Sequence, residues 1–226
     1  MIELADYLVF IGVAAAITIA PGPDIIFVIT QGITAGKRAG VMTALGLACG
    51  NFVHTTAVAL GISVIFKTSD IAFWIFKILG ALYLLYLAYK ALKNKDGIIV
   101  IGAGGSTVDG YEAAEEPSAV VCVESNIKLM SRGFIMNVVN PKVALFFLAF
   151  LPQFTNKTVG SVPLQIIILG LTFIAIVVVI FGLLGFFAGY AGAWLTKYPG
   201  FNKGMSYVSS LIYVGIAVTI LIAGRN

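Results

Sequence analysis

Charge is scarce in this chain: Asp, Glu, Lys and Arg make up 11% of its 226 residues, while 60% are hydrophobic. The mean hydropathy is +1.03. A soluble globular domain carries about a quarter charged residues. An excess of apolar residues this large exceeds what a buried core takes up and points to a surface facing lipid. Histidine occurs once, at His54, which excludes an HExxH zinc site. Cysteine occurs twice, at Cys49 and Cys122, with no CxxC and no disulfide framework. The glycine-rich stretch Gly102-Ala103-Gly104-Gly105-Ser106 is not followed by the Gly-Lys-Ser/Thr of a phosphate loop. GxSxG is also missing, so neither an enzyme nor a cofactor is expected. The net charge of +4 is modest and forms no basic stripe, which argues against a nucleic-acid partner.

What remains is a succession of apolar segments. Six can be drawn, at about 4–33, 41–66, 71–92, 133–151, 162–195 and 205–223. Each is long enough to cross a bilayer and reads as a helix, because an isolated strand cannot satisfy its backbone in lipid. The expectation is an all-α integral membrane protein, a single polytopic domain over 1–226. The start Met1-Ile2-Glu3-Leu4-Ala5-Asp6 is acidic rather than basic, so the first apolar stretch is expected to be retained as a span. Small residues four apart (Gly12, Ala16 and Ala20; Gly46 and Gly50; Gly185 and Gly189) suit close helix packing in lipid.

The long loop at about 93–132 carries the glycines and an acidic patch of Asp109, Glu112, Glu115 and Glu116, and reads as solvated. Lys37, Arg38, Lys93, Lys95, Lys197 and Lys203 fall between odd- and even-numbered segments on one side. The other side has only Lys67, Lys157 and Arg225 outside the spans. Positive residues favour the cytoplasm, so both termini are expected outside and the long loop inside.

Asp24 and Lys142 lie near the middle of the first and fourth segments, where a charge costs about 2.5–3.5 kcal/mol on insertion scales. Each follows a proline. Pro21-Gly22-Pro23 should break the first helix, and Asn140-Pro141 should kink the fourth. Broken backbone at membrane depth is tolerated only against protein or a watery cavity, where half-helix ends can coordinate a charged solute. Lys77, nearer an outer end, can snorkel instead. The two broken helices each open one half of a three-plus-three chain, so the halves would be inverted repeats. The charges are opposite, as in a zwitterion. Asp24 could face an ammonium and Lys142 a carboxylate; the two could instead pair with each other, either to lock one state or as a static brace. Asn51 and His54 share one face of the second segment, as Asn137 and Asn140 do on the fourth. Such groups either bridge helices or, for His54, relay protons.

The motifs Ala20-Pro21-Gly22-Pro23-Asp24 followed by Gly36-Lys37-Arg38-Ala39-Gly40, and Gly133-Phe134 leading to Asn140-Pro141-Lys142 and Phe150-Leu151-Pro152-Gln153-Phe154, resemble the LysE/RhtB family of amino-acid exporters. Lys77 to Leu84 resembles that family's third span, and the likeness covers nearly the whole chain, weakest at about 94–130. The resemblance implies a bacterial or archaeal plasma-membrane exporter of amino acids or their derivatives, driven by the proton gradient without ATP. A homo-oligomer is compatible with it. Competing readings are an uncoupled channel or facilitator for small zwitterions and a non-transporting scaffold.

Overall fold

The computed structural model describes residues 2–68, 70–93, 125–156, 158–197 and 199–222. Its secondary structure over those residues is entirely helical: α1 (Leu4–Ile19), α2 (Pro23–Thr34), α3 (Lys37–Thr68), α4 (Asp70–Lys93), α5 (Asn126–Val138), α6 (Pro141–Leu145), α7 (Val162–Lys197) and α8 (Pro199–Ile222). The glycine-rich stretch, the acidic patch, Cys122, Lys157, Arg225 and the side chain of Lys77 lie outside the described residues.

Both expected interruptions are present, and local chemistry explains them. Pro21 and Pro23 have no N–H to offer the carbonyls of Ile17 and Ile19, so α1 ends at Ile19. Ala20, preceding a proline, is pushed out of the helical region (φ −58°, ψ 119°). Gly22 is extended, and α2 restarts with Pro23 at its first turn, where a missing N–H costs nothing. The chain bends by 57° between α1 and α2. The second break repeats the design. Asn140 leaves the helical region (φ −73°, ψ 109°), caps α6 by accepting the Lys142 N–H at 3.0 Å, and precedes Pro141 at the first turn. The bend between α5 and the stretch Pro141–Phe154 is 52°. Beyond α6 the chain widens into a π turn (Phe146–Phe150) and then tightens into a 3₁₀ turn (Leu151–Phe154) containing Pro152.

Among the described residues, two unbroken helical stretches, Lys37–Gly61 and Val162–Ala188, are long and apolar enough to cross a membrane. The two bent pairs qualify if each counts as one span. The fourth helix departs from the expected limits: α5 begins at Asn126, inside the stretch read as loop. Lys128 and Arg132 lie in its first turns, and a hydropathy scan sees charge there rather than a helix.

α3 and α7 form the centre. α3 packs on α7 and α5, α7 on α1 and α2, and α4 on α8. Small residues set the separations. Gly40 and Gly185 bring the backbones of α3 and α7 together, and Gly46 lies against Met130 of α5. Gly12 has open space around it, so that member of the first expected stripe makes no such contact. A tight link joins α2 to α3 through Gly36, whose φ of 85° suits glycine alone. Arg38 Nε then reaches across to Asn126 Oδ1 at 2.8 Å, tying the start of α3 to the start of α5.

A Cβ placed on Gly40 would stand 2.6 Å from the Gly185 carbonyl oxygen. Gly40→Ala is therefore expected to cost about 1–3 kcal/mol by forcing α3 from α7, read as a lower unfolding temperature in detergent. Gly12→Ala should leave that temperature unchanged or slightly raised. Equal effects of the two would refute the close-packing assignment.

Candidate functional site

The two breaks meet. Asp24, in the first turn of α2, accepts hydrogen bonds from Asn140 Nδ2 at 2.7 Å and Asn137 Nδ2 at 3.2 Å. Asn140 thus does two jobs. Its carbonyl oxygen caps α6 and its amide reaches into the other half of the chain. Asn137 can approach because Gly50 of α3 leaves room behind it: a Cβ there would fall 2.6 Å from Asn137 Oδ1.

Lys142 does not bind Asp24 directly. Its Nζ donates to the Ala20 carbonyl at 2.8 Å and lies 5.3 Å from the ring centroid of Tyr213. The Tyr213 hydroxyl, from α8, donates to the Pro21 carbonyl at 2.9 Å. Gly22 makes space for the lysine stem, since a Cβ at that position would be 3.3 Å from Nζ. The carbonyls at the end of α1 are therefore met by two side chains from the second half of the sequence. The complementary arrangement seals the second break. Pro141 has no N–H for the Asn137 carbonyl, which instead lies 3.0 Å from the Asn140 N–H and 3.1 Å from His54 Nε2. An acceptor-only carbonyl requires that nitrogen to carry the proton. The His54 ring also packs on Phe147, at 5.6 Å between centroids.

Around these groups lies a cavity of about 30 Å³, enough for about one water molecule. Asp24, Asn137, Asn140 and Lys142 form its polar end. All four side chains are buried. Phe146, Phe173, Val177 and Phe181 are part of its apolar wall. Phe10, Phe146, Phe150, Phe154 and Phe173 form a chain of ring contacts at 5.0–6.5 Å beside it, leading towards the start of α1.

The expected residues divide into three groups. Asp24, Asn140, Lys142 and Gly22 line the cavity. Pro21, Pro23 and Pro141 shape the backbone; Pro23 and Pro141 point outwards. Asn51 and His54 stand outside the cavity. Asn51 turns back on its own helix, donating to the Leu47 carbonyl at 3.0 Å. Sequence reasoning placed Asn137 only by its spacing from Asn140, read Gly50 as a packing residue without its link to Asn137, and missed Tyr213 and the α7 wall. Asn137 was within reach, because a second amide one turn before a proline break faces the same way. Tyr213 sits in an apolar helix with no local mark.

Paired broken helices with charged groups at their ends are a mark of helical membrane transporters. The family model for the LysE type translocator matches residues 15–224. The chain belongs to that family. It is 30% identical over 211 residues to the uncharacterized membrane protein YrhP of Bacillus subtilis, covering 93% of this chain and 96% of that one. Leucine efflux proteins are also similar. That of Salmonella choleraesuis is 30% identical over 216 residues, and that of Klebsiella pneumoniae 27% over 220, each covering 94% of this chain and 92% of the relative. No solved structure matches the chain.

Tyr213→Phe keeps a ring beside Lys142 but withdraws the donor from the Pro21 carbonyl. The expected cost is about 1–3 kcal/mol, seen as a lower unfolding temperature in detergent. An unchanged temperature would show that the carbonyl does not depend on this hydroxyl.

Proposed function

We propose that the protein exports amino acids from the cytoplasm in exchange for protons. The observation that carries this reading is the convergence of a carboxyl group, an ammonium and two half-helix N-termini at one buried cavity between the breaks. A free amino acid has one ammonium and one carboxylate. Asp24 is suited to the first. The second suits Lys142 and the N–H groups at the start of α2, where the backbone dipoles favour negative charge. The leucine efflux proteins among the relatives carry amino acids by name, which supports the same cargo class.

Coupling follows from competition for one group. A proton and an ammonium cannot both occupy the Asp24 carboxyl. Alternating them on opposite sides of the membrane moves one inwards for each departure of the other. The cavity of about 30 Å³ cannot hold an amino acid, so admission requires the walls to part. The hydrogen bonds across the two breaks are what would open.

The architecture we assign is six spans in two inverted halves, with both termini outside and residues 93–132 facing the cytoplasm of a bacterial plasma membrane. Packing supports it. α3 packs on its counterpart α7 and α4 on its counterpart α8, while each bent helix leans on the long helix of the other half. In this orientation the phenylalanine chain runs from the cavity wall towards the outer surface and forms the outer closure.

The test is efflux from liposomes loaded with mixed amino acids, with and without an imposed proton gradient. Wild type is expected to release amino acids at least 10-fold faster with the gradient. Asp24→Asn, nearly isosteric but unable to exchange a proton, should abolish the gradient response while remaining folded. Release indifferent to the gradient would leave a facilitator. A wild-type-like Asp24→Asn would remove Asp24 from the mechanism.

A further inference from the structure

All polar side chains that could serve a substrate lie at one end of the cavity. Asp24, Asn137, Asn140 and Lys142 come from the two breaks. The hydroxyl of Thr18, the other polar side chain in the lining, is already committed to the Ala14 carbonyl at 2.7 Å. The rest of the lining is hydrocarbon, and three of its side chains come from one helix. Phe173, Val177 and Phe181 are spaced by four along α7 and so form a single face. Each is at most 4% exposed. Phe173 is held by Phe146 and Phe147, with ring centroids 5.0 and 5.1 Å away.

If the backbone ammonium and carboxylate of an amino acid occupy the polar end, its side chain has to extend along this face. Nothing on the face can replace the hydration of a charged group. Burying a charge without a partner is far more costly than burying an alkyl chain. Attraction of a cation to the phenylalanine faces recovers only part of that loss. An aliphatic or aromatic side chain meets matching surface.

We infer that the Phe173–Val177–Phe181 face of α7 is the selectivity wall of the carrier. It admits apolar amino-acid side chains and rejects charged ones, and Val177 at its centre decides the class. This rests on the export reading above and assigns the part of the site that discriminates between cargoes.

Liposomes loaded with equal amounts of leucine, phenylalanine, serine, lysine and glutamate test it. Wild type should release leucine and phenylalanine at least 10-fold faster than lysine and glutamate. Val177→Thr, similar in size, should lower the leucine-to-serine rate ratio by about 10-fold, chiefly through KM. Val177→Asp supplies a counter-charge and should raise the lysine-to-leucine ratio at least 10-fold. Should that buried carboxyl prevent folding, the wild-type ratios and Val177→Thr decide alone. Comparable release of lysine and leucine by wild type, or an unchanged leucine-to-serine ratio in Val177→Thr, overturns the α7 assignment and leaves amino-acid export standing. Release of none of the five overturns the export reading and this inference with it.

Discussion

A carbonyl freed by a helix break, in a setting without water, has to find a donor. This constraint organises the protein. An unmet buried acceptor costs about 1–3 kcal/mol in protein and more in hydrocarbon. Two broken helices would be unaffordable if each had to solve the problem alone. Here each break is closed by side chains from the other half of the sequence. Lys142 and Tyr213 meet the carbonyls of Ala20 and Pro21, and His54 supports the carbonyl of Asn137. Asn137 and Asn140 in turn meet Asp24. The breaks leave carbonyls outside the helical ladder, and the pairing of the halves supplies donors to three of them.

The same arrangement separates a stiff region from an adaptable one. Beyond Asp24, the later turns of α2, the start of α3 and the lower part of α7 touch through Gly32, Gly40, Gly185 and Ala188, with little side chain between them. Backbone-to-backbone contact leaves no rotamer to change. On the other side of the cavity the contacts are phenylalanine rings, next to a helix whose hydrogen bonding passes from α to π to 3₁₀ within Pro141–Phe154. Rings can turn and repack without breaking main-chain bonds. Rearrangement on this side therefore demands less of the backbone than separation of α3 from α7.

Much of this was legible before the fold. Pro21, Pro23 and Pro141 announce their breaks because the missing N–H is a local fact. Asp24 and Lys142 stand out because charge is so rare in these segments. The partners were not legible, since Asp24 and Asn140 are 116 residues apart and only packing brings them together. Sequence alone left open whether Asp24 and Lys142 bind one another, and in this structure they bind other groups. Helix ends were misjudged where polar residues continue a helix, as in Asn126–Arg132, because apolarity marks contact with lipid rather than helix. Tyr213 had no signal at all. A tyrosine in an apolar helix becomes informative only when its hydroxyl is seen on a proline carbonyl.

The separation of the two charges has its own logic. Lys142 Nζ sits at the carbonyl end of α1, and Asp24 sits at the amide end of α2. Each charge faces the end of a helix whose dipole favours it. A direct ion pair would also have stabilised both, but a dry, well-made pair is costly to part because each member is left uncompensated. Holding the charges apart on backbone and amide groups gives each its own partners. One can then change partners while the other stays in place. In the export mechanism we propose, the centre of the carrier needs that property, because a solute has to replace internal contacts in each cycle.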